Sequence, residues 1–354
     1  MNRHQALFGA IGALVASTAV AKADTGDWTA KIFKGGQSAT SEKTEYVPLA
    51  ANSASKKWHL CVSFPHVKDA YYLGKSYGIE REVRRQNVTA TIMEAGGYSN
   101  VTNQINQIED CVARGGNAVL VSAVSKTGLI RMVEELDKKG IPVVEMGNGL
   151  DSPLVKARTR AEYTIAGVSA GEYLAKKHPK GSGAKKLVWL AGPPGSQWVE
   201  EAVAGMKQGI ANSDIELVKV MYGDTGKEVQ MRLVDDLLQT YSDVNIIGGV
   251  APAIEGAMQI LRQKGRNDVS LISFYTTPAM VEGVEKGNIM ATVSDAGALG
   301  SRISVDQAVR ILEKKPFIDV AAREFELIDT GIVKTFDRTT IMAPDGYKPV
   351  FEIK

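Results

Sequence analysis

The sequence predicts an α/β protein made of two doubly wound, parallel-sheet lobes joined by a hinge. Three observations carry that expectation. A chain of 354 residues exceeds one ordinary hydrophobic core and suits two domains of common size. From Trp58 onward, short apolar runs alternate with stretches of helical periodicity, the pattern of βαβ units around a buried parallel sheet. The alternation then starts afresh after residue 160, so two series of similar length follow one another.

In chain order, residues 1–23 combine Arg3 and His4, an apolar run over 6–20 and the small-residue site Ala21-Lys22-Ala23. That is the pattern of a cleaved secretory signal. The run is short for a membrane anchor and no second apolar segment follows, so export without direct membrane insertion is expected. Residues 24–57 show little periodicity apart from Trp28, Ile32 and Phe33, and read as an extended arm on the domain or a flexible leader. Apolar runs at 59–64, 91–93, 118–121 and 142–144 read as strands of the first lobe. Helical spacing between them is carried by Val101, Ile105, Ile108 and Val112, and by Leu129, Met132, Val133 and Leu136. Gly140-Ile141-Pro142 ends a helix and launches the next strand. The second series reads as helix 165–177, strand 187–190 closed by Gly192-Pro193-Pro194-Gly195, helix 199–211, strand 215–221, helix 229–238, and further pairs to Ser294. Lobe one is accordingly expected at 58–160 with 296–322, and lobe two at 161–295 with 323–354. Gly181-Ser182-Gly183 precedes a strand instead of opening a helix, so it reads as a turn and not a phosphate loop.

Composition narrows the function. With 44% apolar and 23% charged residues the chain is globular rather than disordered. Removing 1–23 takes Arg3 and Lys22 from 42 basic residues that face 40 acidic ones. The mature chain is then balanced and has no global field for nucleic acid or anionic membranes. Cys61 falls early in the first strand and Cys111 late in the second helix, both in the exported part, so a disulfide is expected over two buried thiols. No cluster of His, Cys or carboxylates has metal-ligand spacing, and no cofactor motif occurs.

Enzymatic constellations are missing as well. Walker A and H-E-x-x-H do not occur, and His66 is the one histidine near the candidate site. The polar content of the loops at strand ends is aromatic and acidic instead. Asp69, Tyr71 and Tyr72 follow the first strand, Tyr98 the second, and Tyr163 lies near the first crossover between lobes. Phe274 and Tyr275 follow a strand of the second lobe, and Asp295 lies near the second crossover. Open α/β sheets place ligands at the carboxyl ends of their strands, so these side chains should face one cleft. A non-enzymatic binding protein is the expectation, with Tyr72 on the rim of its site.

The run L-C-V-S-F-P-H-V-K-D-A-Y-Y-L-G-K-S-Y-G, then E-A-G-G-Y-S over 94–99, I-S-F-Y over 272–275, V-S-D over 293–295 and the ending G-Y-K-P-V-F resemble the type I periplasmic binding proteins. The likeness is to the branch that senses trimethylamine N-oxide (TMAO), and it covers 58 to about 350. The resemblance implies a periplasmic receptor whose ligand-dependent shape is read by the periplasmic domain of a membrane sensor histidine kinase. A solute-binding subunit of an ABC importer is the alternative. It implies a ligand cage of Asp69, Tyr71, Tyr72, Tyr98, Tyr163 and Tyr275, with aromatic faces toward the methylated nitrogen. The family often carries Trp where Tyr72 and Tyr163 stand. Sugar-binding relatives carry Asn or Asp where this chain reads Ala251-Pro252-Ala253, and an Asp within 273–275, which argues against a pyranose ligand.

Overall fold

The computed structural model describes residues 28–37 and 41–354; the signal expected at 1–23 and the first residues of the arm lie outside them. The described chain opens with an antiparallel hairpin, β1 (Ala30–Lys34) and β2 (Lys43–Tyr46). The first lobe follows as β3 (His59–Phe64), α1 (Ala70–Arg85), β4 (Thr89–Glu94), α2 (Val101–Ala113), β5 (Ala118–Val121), α3 (Ile130–Lys138), β6 (Val143–Glu145) and β7 (Ala157–Arg158). The second comprises α4 (Tyr163–Lys177), β8 (Lys185–Gly192), α5 (Gln197–Ile210), β9 (Ile215–Tyr222), α6 (Lys227–Thr240), β10 (Ile246–Gly249), α7 (Ala251–Lys264), β11 (Ser270–Ser273), α8 (Pro278–Glu285) and β12 (Ala291–Ser294). Then come α9 (Gly297–Leu312), β13 (Ala321–Arg323), β14 (Glu326–Asp329) and β15 (Glu352–Ile353).

The strand order is β15-β4-β3-β5-β6-β7 in one sheet and β14-β12-β11-β10-β8-β9 in the other, parallel except where β15 and β14 add antiparallel edges. β3 is buried along its length save for the half-buried His59, and β5 throughout. Strands covered on both faces need continuous apolar runs, which is why these two were legible as such. In both lobes the winding reverses beside the first strand, so the two switch points face each other across a cleft.

Crossovers at 159–162, 295–296 and 323–325 join the lobes, and two of them run side by side: Arg160 N–H donates to Ala321 O at 3.1 Å and Arg323 N–H to Arg160 O at 3.0 Å. α9 returns the chain to the first lobe and lies on α1. A Cβ at Gly78 would stand 2.1 Å from the Ala298 carbonyl, so the two helices touch backbone to backbone only because Gly78 has none.

One expectation changes. The end of the chain, expected in lobe two over 323–354, divides: β14 joins the second sheet, but β15 pairs with β4 in the first. Two residues of strand carry too little pattern to show which edge they complete. Of the two readings of the arm, the described residues show the extended arm lying on the domain, here as a hairpin. β1 pairs with both β2 and β13, and Ala30, Ile32 and Tyr46 bury a small core with Ile303 and Ala321. Asp306 of α9 anchors it, accepting the Tyr46 hydroxyl and the Leu49 N–H. Cys61 of β3 and Cys111 of α2 form the expected disulfide, with Cα atoms 6.0 Å apart.

Candidate functional site

The site begins with a helix cap. After β3 the chain turns at Asp69, which has extended backbone and accepts the Tyr71 N–H at 3.0 Å, the bond a short acidic N-cap makes. This sets Tyr71 and Tyr72 in the first turn of α1, both against the cleft. The other Asp69 oxygen accepts the Tyr275 hydroxyl, from beyond β11 of the opposite lobe, at 2.5 Å. One carboxylate thus caps a helix in one lobe and holds a ring from the other.

A second carboxylate, at the crossover, holds a ring from each lobe. Asp295 Oδ2 accepts the Tyr71 hydroxyl at 2.7 Å and the Tyr163 hydroxyl at 3.0 Å, and pairs with Arg323 Nη2 at 3.1 Å. Arg323 also donates from Nη1 to the Asp295 carbonyl at 2.6 Å, and a Cβ at Gly300 would stand 2.6 Å from its side chain, so α9 leaves room for the guanidinium. The third group is neutral. The Tyr72 and Tyr98 hydroxyls lie 2.8 Å apart, and Asn148 Nδ2 stands 3.2 Å from each and 3.0 Å from Ala123 O, its two hydrogens shared among the three.

Asp69, Tyr71, Tyr72, Tyr98, Tyr163 and Tyr275 therefore line one void, together with Asn148, Trp198 and Thr225. All six of the expected residues are brought together. The three additional ones also follow strand ends, after β6, β8 and β9, the same position as the tyrosines, but an amide, an indole and a hydroxyl there carry no signal that separates them from ordinary loop residues. Trp198 stands 5.7 Å from Tyr163, 6.1 Å from Tyr98 and 6.2 Å from Tyr275, centroid to centroid. An indole thus reaches the cage from α5, while positions 72 and 163, where the family often carries Trp, hold tyrosines. Its Nε1 has no partner among the described residues.

The void is small. It has room for about one water molecule, so a ligand of five heavy atoms must part the lobes or move the rings. Tyr72, expected on the rim, is 2% exposed and packs on Phe64 and His66. The first turn of α1 sinks into the interface instead of edging it.

Burial dominates the electrostatics. It pushes the Asp69 carboxyl up to about 6, against the lowering pull of the Tyr275 and Tyr71 hydrogen bonds. Tyr71, Tyr163 and Tyr275 are raised by burial and then by their carboxylate partners, so they remain protonated donors. Beneath the rings Lys75 is fully buried; its Nζ donates to Ser122 Oγ at 2.8 Å and Met146 O at 2.7 Å, and burial pulls it down to about 7. Across the lip of the cleft His66 meets Thr225 Oγ1 at 2.8 Å and Asp224 at 3.6 Å, and burial pulls it to about 4 despite that carboxylate. Asp224 also accepts the Tyr98 N–H at 3.0 Å.

Two wound lobes closing on a compact aromatic void define a ligand-binding protein of the hinged, two-lobe class. The profile described as "Periplasmic binding protein domain" matches residues 60–316, and the chain belongs to that family. It is 30% identical to the periplasmic protein TorT of Escherichia coli (strain K12) over 84% of this chain and 85% of that one. The structure is similar to an ABC transporter solute binding protein from Bradyrhizobium sp. BTAi1 with bound bis-tris, at a TM-score of 0.76 and 41% identity, covering 92% of this chain and 98% of that one. It is also similar to TorT in its complex with the TorS sensor domain in the presence of TMAO, at a TM-score of 0.75 and 30% identity, covering 83% and 100%. These relatives are binding proteins and receptors, not enzymes. Among the described residues no helix is long and apolar enough to cross a membrane.

Proposed function

We propose that this chain is a periplasmic receptor for trimethylamine N-oxide or a closely related small methylated amine, read by the periplasmic domain of a membrane sensor histidine kinase. One observation carries the ligand class: the way the cage distributes its protons. Tyr71, Tyr163 and Tyr275 commit theirs to Asp295 and Asp69, so their contribution to a ligand is the ring. Methyl groups on a positively polarised nitrogen suit such faces. One proton of the hydrogen-bonded Tyr72–Tyr98 hydroxyl pair is left to donate, and the Trp198 N–H is unpartnered among the described residues. An oxide oxygen needs donors, and the neighbouring Tyr98 and Trp198, whose ring centroids stand 6.1 Å apart, carry suitable ones. A sugar ring would need partners around its whole edge.

The relatives support this reading from two directions. TMAO accompanies the TorT complex and bis-tris the Bradyrhizobium protein; both small molecules carry three carbons on nitrogen. The same Bradyrhizobium neighbour favours a second reading, the solute-binding subunit of an ABC importer. Pull-down from membranes separates the two. Co-purification with a permease and with no kinase domain would decide for transport.

Calorimetric titration with TMAO, betaine and ribose tests the ligand. Five heavy atoms reach at best about −7.5 kcal/mol, so TMAO should bind at roughly micromolar Kd. Ribose binding with no response to either amine would refute the proposal.

A further inference from the structure

We propose that Lys75 makes the cage a charge filter, admitting ligands that carry no net charge and disfavouring ammonium cations of the same shape. This rests on the methylated-amine reading above. Lys75 follows Tyr71 and Tyr72 by one turn of α1, on the same face. Its Nζ lies 5.5 Å from the Tyr71 centroid, 5.5 Å from that of Tyr72 and 5.8 Å from that of Phe64. Tyr71 and Tyr72 line the void and Lys75 does not, so the ammonium backs the rings whose faces a ligand would use.

A cage assembled for a bare cation would leave those π faces free and place net negative charge around them. Here the faces already serve a cation from behind. Neither carboxylate on the void offers a full negative charge to a ligand cation: Asp295 is paired with Arg323 at 3.1 Å, and burial pushes Asp69 up toward its neutral form. A ligand nitrogen against the rings would stand roughly 8–10 Å from Nζ, where like charge lowers affinity by about tenfold at the effective dielectric of a buried site. An N-oxide or a zwitterion brings an equal negative charge and escapes most of that loss.

The test compares TMAO with tetramethylammonium, in which a methyl replaces the oxide, by calorimetry at pH 6, where the buried ammonium holds its proton. Wild type should bind TMAO well over tenfold more tightly. Lys75→Gln keeps a donor for the Met146 carbonyl and should narrow the ratio by about tenfold, mostly by improving the cation. Lys75→Met should do the same, so either variant suffices if the other fails to fold, and Lys75→Arg should keep the wild-type ratio. Equal binding of the two ligands by wild type, or an unchanged ratio in both neutral variants, would overturn the filter while leaving the methylated-amine reading intact. No binding of any methylated amine would overturn both.

Discussion

Tyr72 shows how much of the site was readable at the level of single residues. Its place after the first strand marked it for the cleft, and it lies there. Its depth was not readable, because burial depends on how far the opposite lobe descends over α1. Replacing a ring that is 2% exposed by Ala should cost about 3–5 kcal/mol of stability, so loss of binding in that variant would be uninformative. Tyr72→Phe keeps the ring and removes one hydroxyl of the donor group. It should weaken TMAO binding by about tenfold, the worth of one hydrogen bond, with the thermal midpoint little changed; a Kd equal to wild type would remove Tyr72 from the ligand's donors. His66 offers a pH test. Its native value of about 4 lies below the ordinary 6.5, so below pH 6.5 the unfolded chain takes a proton that the folded one refuses. Stability should therefore fall as pH drops from 7 toward 5, by about 2 kcal/mol through this residue. Urea unfolding of wild type and His66→Gln at both pH values measures it, and equal acid sensitivity would exclude His66 as the source.

At the scale of elements, legibility followed burial. β3 and β5 announced themselves as unbroken apolar runs because both faces are covered, and α2 and α3 by the spacing of Ile108 and of Met132, Val133 and Leu136. β1, β2 and β13 did not, since each is short, the first two are half exposed, and the pairing of β1 with β13 joins residues nearly 300 apart that no local pattern connects. Ile32 and Tyr46 nonetheless reach Ile303 and Ala321, so the hairpin belongs to the fold. Truncation through residue 46 should lower the thermal midpoint of the remaining chain, and an unchanged midpoint would make the hairpin dispensable. The Cys61–Cys111 bridge closes a loop with a sequence separation of 50, worth roughly 4 kcal/mol on the chain-entropy view. Reduction should shift the urea midpoint downward without abolishing the fold, because β3 and α2 remain packed through Ile108 and Leu60.

For the molecule as a whole, the hinge and the cage share residues. Asp295 sits at a crossover, holds one ring from each lobe and is tied to Arg323, so a ligand that reorders those rings acts directly on the segment about which the lobes turn. Magnitudes set the size of that action. Driving a two-state hinge from mostly open to mostly closed takes about 5.5 kcal/mol of differential affinity, most of what a five-atom ligand can supply. The free protein should therefore lie near balance between its states, with closing contacts such as Asp69–Tyr275 and His66–Thr225 already formed in part of the population. Small-angle scattering should show a modest contraction on adding TMAO, and a large one would mean a strongly open free state. The measurement that bears most directly on the central claim is calorimetry of the purified, signal-free protein with TMAO. The account predicts one site near micromolar Kd, weakened about tenfold by Tyr72→Phe; no heat with TMAO or betaine, alongside saturable binding of ribose, would contradict it.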